Sequence, residues 1–83
     1  MKEIKPKLTL DRPAIYQIIV PGHLDLDWSD WVENVTITLE SDDDDYPITR
    51  LVGPVDQPAL QGLLRRLYSL GLPLISVICL EVK

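Results

Sequence analysis

"PGHLDLDWSDWVEN", residues 21–34, decides how this chain is read, because the fold depends on whether it forms a helix between two strands. Leu24, Trp28, Trp31, Val32 and Val35 recur at i, i+4, i+7, i+8 and i+11, the stripe of an amphipathic helix about two turns long. The acids fall off that stripe. Asp25 or Asp27 is placed to cap the first amides, and carboxylates in a first turn favour the positive end of the helix dipole. Asn34 suits a left-handed exit. The spacing therefore predicts a short helix whose tryptophans enter the core.

Strand patterns flank it on both sides. "AIYQIIV" (14–20) is β-branched and aromatic and is closed by Pro21-Gly22. Both of its faces are apolar, so it reads as a central strand. Ile15 and Ile19 are expected to face the helices, and Tyr16, Ile18 and Val20 the opposite side. "VTITLE" (35–40) alternates as a half-buried strand, and "SDDDDYP" (41–47) reads as the connection after it, since successive aspartates disfavour an extended ladder. "ITRLV" (48–52) is the returning strand, with Gly53-Pro54 as its expected stop. Its buried face is left open, because Ile48 and Val52 differ in parity from Leu51.

"DQPALQGLLRRLYSLGLP" (56–73) is the clearest element. Asp56 caps it, Pro58 is tolerated in the first turn, and Leu60, Leu63, Leu64 and Leu67 form the inner stripe. Gly71 and Pro73 end it, with Leu72 folding back on Leu67. Gly62 falls almost opposite the stripe, where alanine would be better by about 1 kcal/mol, which raises the question of a close approach there. "LISVICLEV" (74–82) is the last strand, apolar on both faces.

The expected order is β-α-β-β-α-β. This is the α+β, ferredoxin-like arrangement: a four-stranded antiparallel sheet, the first and third strands central, both helices on one face. Residues 1–13, bracketed by Pro6 and Pro13, read as an N-terminal arm, and 14–83 as a single domain. In this arrangement the helix-free face carries apolar side chains of the first and last strands. Tyr16, Ile18, Ile78 and Leu80 are therefore the expected interface of a homodimer.

Composition bounds the function. A chain of 83 residues hides only about 60% of its unfolded surface, so a second subunit is a natural source of stability. A net charge of −5 argues against nucleic acid, and Arg65-Arg66 is too small a basic patch to release many counterions. The single cysteine, Cys79, fits a reducing compartment, and the charged, proline-containing amino terminus is unlike a signal peptide. No run reaches the ~20 apolar residues of a membrane span. The expectation is a cytoplasmic protein, with an unidentified protein partner besides its own copy and without membrane or nucleic-acid binding.

Candidate chemistry is sparse. His23, Asp25 and Asp27 form H-x-D-x-D, which leaves a zinc site short of a ligand and is equally what a capped turn produces. Asp42–Asp45 lacks the sixth-position glycine and the distant glutamate of an EF-hand. Cys79 sits in an apolar strand without a neighbouring cation, and Ser29, Ser41, Ser69 and Ser76 lack a nucleophile-elbow context. We therefore expect no catalytic residue, no metal site and no cofactor.

"PGHLDLDWSDW", "DQPALQGLLRRL" and "LGLPLISV", in that order, resemble a group of small bacterial proteins of unassigned function, frequent in cyanobacteria. The resemblance spans about residues 14–82 and carries no site assignments. A looser likeness runs to ACT-type regulatory domains through "VPGHL" and the final helix–strand unit. The leading expectation is a non-enzymatic, dimeric interaction or regulatory module. The alternative is a small-molecule sensor holding its ligand at Pro21, Gly22 and His23.

Overall fold

A computed structural model describes residues 8–24 and 34–82. The order of elements is β1 (Ala14–Pro21), β2 (Thr36–Ser41), β3 (Pro47–Val55), α1 (Gln57–Ser69) and β4 (Ser76–Val82). The strands form one sheet in the order β2-β3-β1-β4, and every pairing is antiparallel. β1 and β3 are central, as the apolar faces of β1 require.

The two-helix ferredoxin-like arrangement expected from the sequence is not what is found. Among the described residues there is one helix, α1, preceded by three strands and followed by one. The expected first helix falls mostly on 25–33, outside the described residues, as do Trp28 and Trp31 with their expected burial. The ends of the stripe are anchored by other means. Leu24 is fixed by a backbone-to-side-chain hydrogen bond to Thr49, and Val35 packs where Gly53 leaves room for its backbone.

α1 has the ends its sequence encodes. The Asp56 carboxylate accepts the Ala59 amide at 3.0 Å. At the other end Gly71, at φ +78°, donates to the Tyr68 carbonyl, and Leu72 donates back to the Leu67 carbonyl. This paired closure brings Leu72 against the core. Leu60, Leu63 and Leu67 are buried and pack on Ala14, Tyr16, Ile18 and Val20 of β1 and on Leu51 and Val55 of β3. Among the described residues nothing approaches Gly62 within 4 Å, so the helix face beside it is open.

That packing inverts the expected parity of β1. Tyr16 and Ile18 face α1 in the core, while Ile15 and Ile19 are half-buried on the helix-free face. The reason is chemical as well as steric: Gln57, at the start of α1, donates its side-chain amide to the Tyr16 hydroxyl, which would otherwise be buried without a partner. Tyr16 and Ile18 are therefore withdrawn from the expected homodimer face. In β3 the question of parity is settled for Thr49, Leu51, Gly53 and Val55, which lie on the α1 side opposite even-numbered residues of β1.

β3 also runs through Gly53-Pro54, where a stop was expected. The pairing of β2 with β3 stops at Thr36 opposite Val52, so beyond that point β3 has no paired strand on its outer side among the described residues. Pro54, opposite Ile15, can sit there because its missing amide is not needed. Gly53 is needed for another reason. A Cβ on it would lie 2.8 Å from Val35 Cα and closer still to the Asn34 carbonyl oxygen. The chain entering β2 crosses directly over Gly53, aided by Asn34 at φ +67°.

Candidate functional site

Three places bear on function, and the first is the loop after β1. Gly22, at φ +80°, donates its amide to the Pro47 carbonyl at 2.8 Å. Its own carbonyl accepts from Thr49 Oγ1 at 2.7 Å, and Thr49 Oγ1 in turn accepts the Leu24 amide at 3.0 Å. Thr49 is fully buried, so its hydroxyl is the clamp that fixes this turn. His23 lies exposed above it and donates from Nε2 to the Glu40 carbonyl at 3.0 Å. Pro21, Gly22 and His23 are consecutive in this turn; the Gly22 backbone is engaged by β3 and the His23 side chain by β2. Asp25 and Asp27 lie outside the described residues, and among the described residues no three His, Cys, Asp or Glu side chains are grouped to hold a metal ion.

Thr49→Val should test the clamp, because it deletes one hydroxyl and leaves a buried carbonyl and amide without their partner. A loss of roughly 1–2 kcal/mol in urea denaturation is expected, with Thr49→Ser much closer to the wild type.

The second place is a polar spine across the helix-free face, which sequence reading missed. Arg50 of β3 holds Glu40 of β2 through two bonds, Nε to Oε2 at 2.8 Å and Nη2 to Oε1 at 3.1 Å. Its third nitrogen donates to the Gln17 side chain of β1 at 2.6 Å. The guanidinium beside Glu40 holds that carboxyl below its ordinary value of 4.5. A lowered folded-state pKa contributes stability above the ordinary value, and that contribution is lost as the pH falls through the folded value. Glu40→Gln should therefore flatten the acid limb: the wild-type urea midpoint falls more steeply below about pH 4.5 than the variant's.

The third place is β4. The core cluster contains residues of β1, β3, α1 and Leu24, and none of β4. β4 is an edge strand held by its ladder to β1, and its side chains stay out: Val77 is 38% exposed, Ile78 44% and Leu80 51%. The lead-in adds Leu74 and Ile75, at 45% and 55%. Cys79 is free and exposed on the same strand. Of the four expected interface residues, Ile78 and Leu80 are thus at the surface, and Tyr16 and Ile18 are not.

The backbone of β4 is also open. The Gly22 amide bonds β3 and Pro54 lacks an amide opposite Ile15, so even-numbered residues of β1 bond β3. Odd-numbered residues then bond β4, as the Ile19 carbonyl does in accepting Ile75. Since Gln17 lies opposite Ile78 and Ile19 opposite Ser76, the amides left facing outward are those of Val77 and Cys79.

The other edge is different. β2 presents Thr36, Thr38 and Glu40 on one face, and it ends in the aspartate turn. There the Asp42 carboxylate accepts the amides of Asp44 and Tyr46, both at 2.9 Å, and Asp45 takes φ +69°. This is a tight polar hairpin, and its charge guards the edge.

Compared with known protein families, residues 15–78 match the model of a domain of unknown function, DUF8691. The chain belongs to the DUF8691 family. The match runs from Ile15 in β1 to Ile78 in β4, so β2, β3 and α1 lie wholly within the DUF8691 match, with most of β1 and the first part of β4. Searches of curated proteins and of solved structures gave no match to this DUF8691 chain. No helix among its described residues is long and apolar enough to cross a membrane.

Proposed function

We propose that this DUF8691 domain is a non-enzymatic protein-association module whose working surface is β4 with its lead-in, residues 74–82. The observation that carries the reading is the union of two features on one element: exposed apolar side chains on an edge strand, and outward backbone amides with no strand against them among the described residues. An apolar strand of this kind is a template for a further strand, with main-chain bonds giving affinity and side chains on both faces giving selectivity. The polar spine of Glu40, Arg50 and Gln17 supports the same reading, since it makes the middle of the helix-free face a poor apolar docking surface. A reducing, cytoplasmic setting belongs to the proposal, because it keeps an exposed Cys79 thiol reduced beside such an edge.

A labelled synthetic peptide with the sequence of residues 74–82, extended by lysines for solubility, serves as the test strand. Expected is saturable binding that shifts the amide resonances of Val77 and Cys79. A peptide that leaves β4 unperturbed overturns the reading. Thermal-shift screening against amino acids, nucleotides and divalent cations provides the opposing arm. A ligand that raises the midpoint and loses its effect in His23→Ala would replace association with small-molecule sensing at Pro21, Gly22 and His23, because ligand at one hundred times its Kd adds about 2.7 kcal/mol.

A further inference from the structure

We infer that the strand received by β4 is β4 of a second copy, paired antiparallel so that the two sheets join into one of eight strands. This rests on the association reading above and names its partner.

Three observations point to a second copy. The first is self-complementarity. Glu81 is the only charged side chain of β4, and it stands near one end of the strand. In antiparallel self-pairing a two-fold axis passes beside Ile78 and Cys79. The two Glu81 side chains then lie on opposite sides of the axis, and the apolar run Val77–Leu80 meets itself. Parallel pairing would instead set the acids side by side, where like charges are destabilising.

The second is the placement of charge. The chain carries −5, and four of its acids are Asp42–Asp45, in the hairpin at the far edge of the sheet. In the order β2-β3-β1-β4-β4-β1-β3-β2 the two β2 strands are seven strand spacings apart, about 34 Å. That exceeds the ~8 Å screening length at physiological ionic strength several-fold, so the like-charged turns do not oppose this join.

The third is what the core leaves undone. α1 covers β1 and β3 with Leu60, Leu63 and Leu67, and no β4 residue belongs to the cluster. A second β4 alongside covers Val77 and Cys79 on the α1 side and Ile78 on the other, and it supplies partners for the outward amides of Val77 and Cys79.

The test uses the full 83-residue chain. Sedimentation over a concentration series is expected to show a monomer–dimer equilibrium, and a short bismaleimide is expected to join Cys79 of one copy to Cys79 of the other, since both lie within a residue of the axis. Val77→Pro removes one outward amide without touching the ladder to β1. It should lower the dimerisation constant at least tenfold and abolish the cross-link, while circular dichroism shows the fold retained. Ile78→Lys, which sets two lysines beside the axis, should do the same and serves if the proline variant does not fold. A wild-type chain that stays monomeric at high micromolar concentration overturns the second copy. If that monomer still binds the 74–82 peptide, only the identity of the partner has failed and the association surface stands. A dimer that survives both substitutions also overturns the inference, because the copies then meet elsewhere.

Discussion

Ile18→Ala is expected to cost roughly 2–5 kcal/mol, and Ile19→Ala about 1 kcal/mol or less, although the two isoleucines are neighbours in one strand. Ile18 is 1% exposed, with its side chain among Tyr16, Val20, Leu51 and the leucines of α1, so truncation removes buried methyl groups and leaves a cavity. Ile19 is half-buried on the helix-free face, between Arg50 and Ser76 on the neighbouring strands, and has room to relax. Urea denaturation of both variants, followed by circular dichroism, measures the difference directly. Equal costs, or the reverse order, would mean that β1 presents its odd-numbered side chains to α1.

Gly53→Ala is expected to destabilise by roughly 3 kcal/mol, a large effect for the addition of one methyl group. The added carbon would meet the backbone of Asn34 and Val35, which cannot rotate out of the way as a side-chain end would. Either β3 bends away from the crossing chain or the entry to β2 lifts, and both disturb the pairing of Thr36 with Val52. Pro54→Ala should be mild by comparison, since that position has no strand outside it. The midpoints of these two variants, read together, separate crowding at Gly53 from any general intolerance of the Gly-Pro pair. Near-equal midpoints would remove the crossing as the reason for the glycine.

Much of this architecture could be read from local chemistry, and the failures have physical causes. Asp56, Gly71 and Leu72 act within a few residues of where they stand, so the ends of α1 were legible. β1 and β4 announced themselves as strands through β-branched runs. Parity was not legible, because a strand apolar on both faces gives alternation nothing to act on; the one usable signal was the Tyr16 hydroxyl, which needs a partner such as Gln57. Gly53-Pro54 reads as a stop in isolation and becomes permissible only because β2 is shorter than β3. The helix expected at 21–34 falls mostly on residues 25–33, outside the described residues; its two flanks are fixed by contacts to Thr49 and Gly53 that come from β3 and are invisible in the local sequence. Of the candidate surface, the apolar character of residues 74–82 was plain, but its exposure depends on which strands α1 covers. Arg50 escaped notice because Glu40 and Gln17, ten and thirty-three residues away, become its neighbours only when three strands align.

The inequality of the two edges also sets a stoichiometry. Sheet growth by strand addition would continue indefinitely if every copy offered two open edges, as fibres do. In the proposed pair both β4 strands are used, and the remaining edges are the β2 strands, each of which runs into four aspartates. A third copy arriving there would meet acidic turns of its own sign. On that proposal the aspartate hairpin would act as a terminator, favouring two copies over continued strand addition.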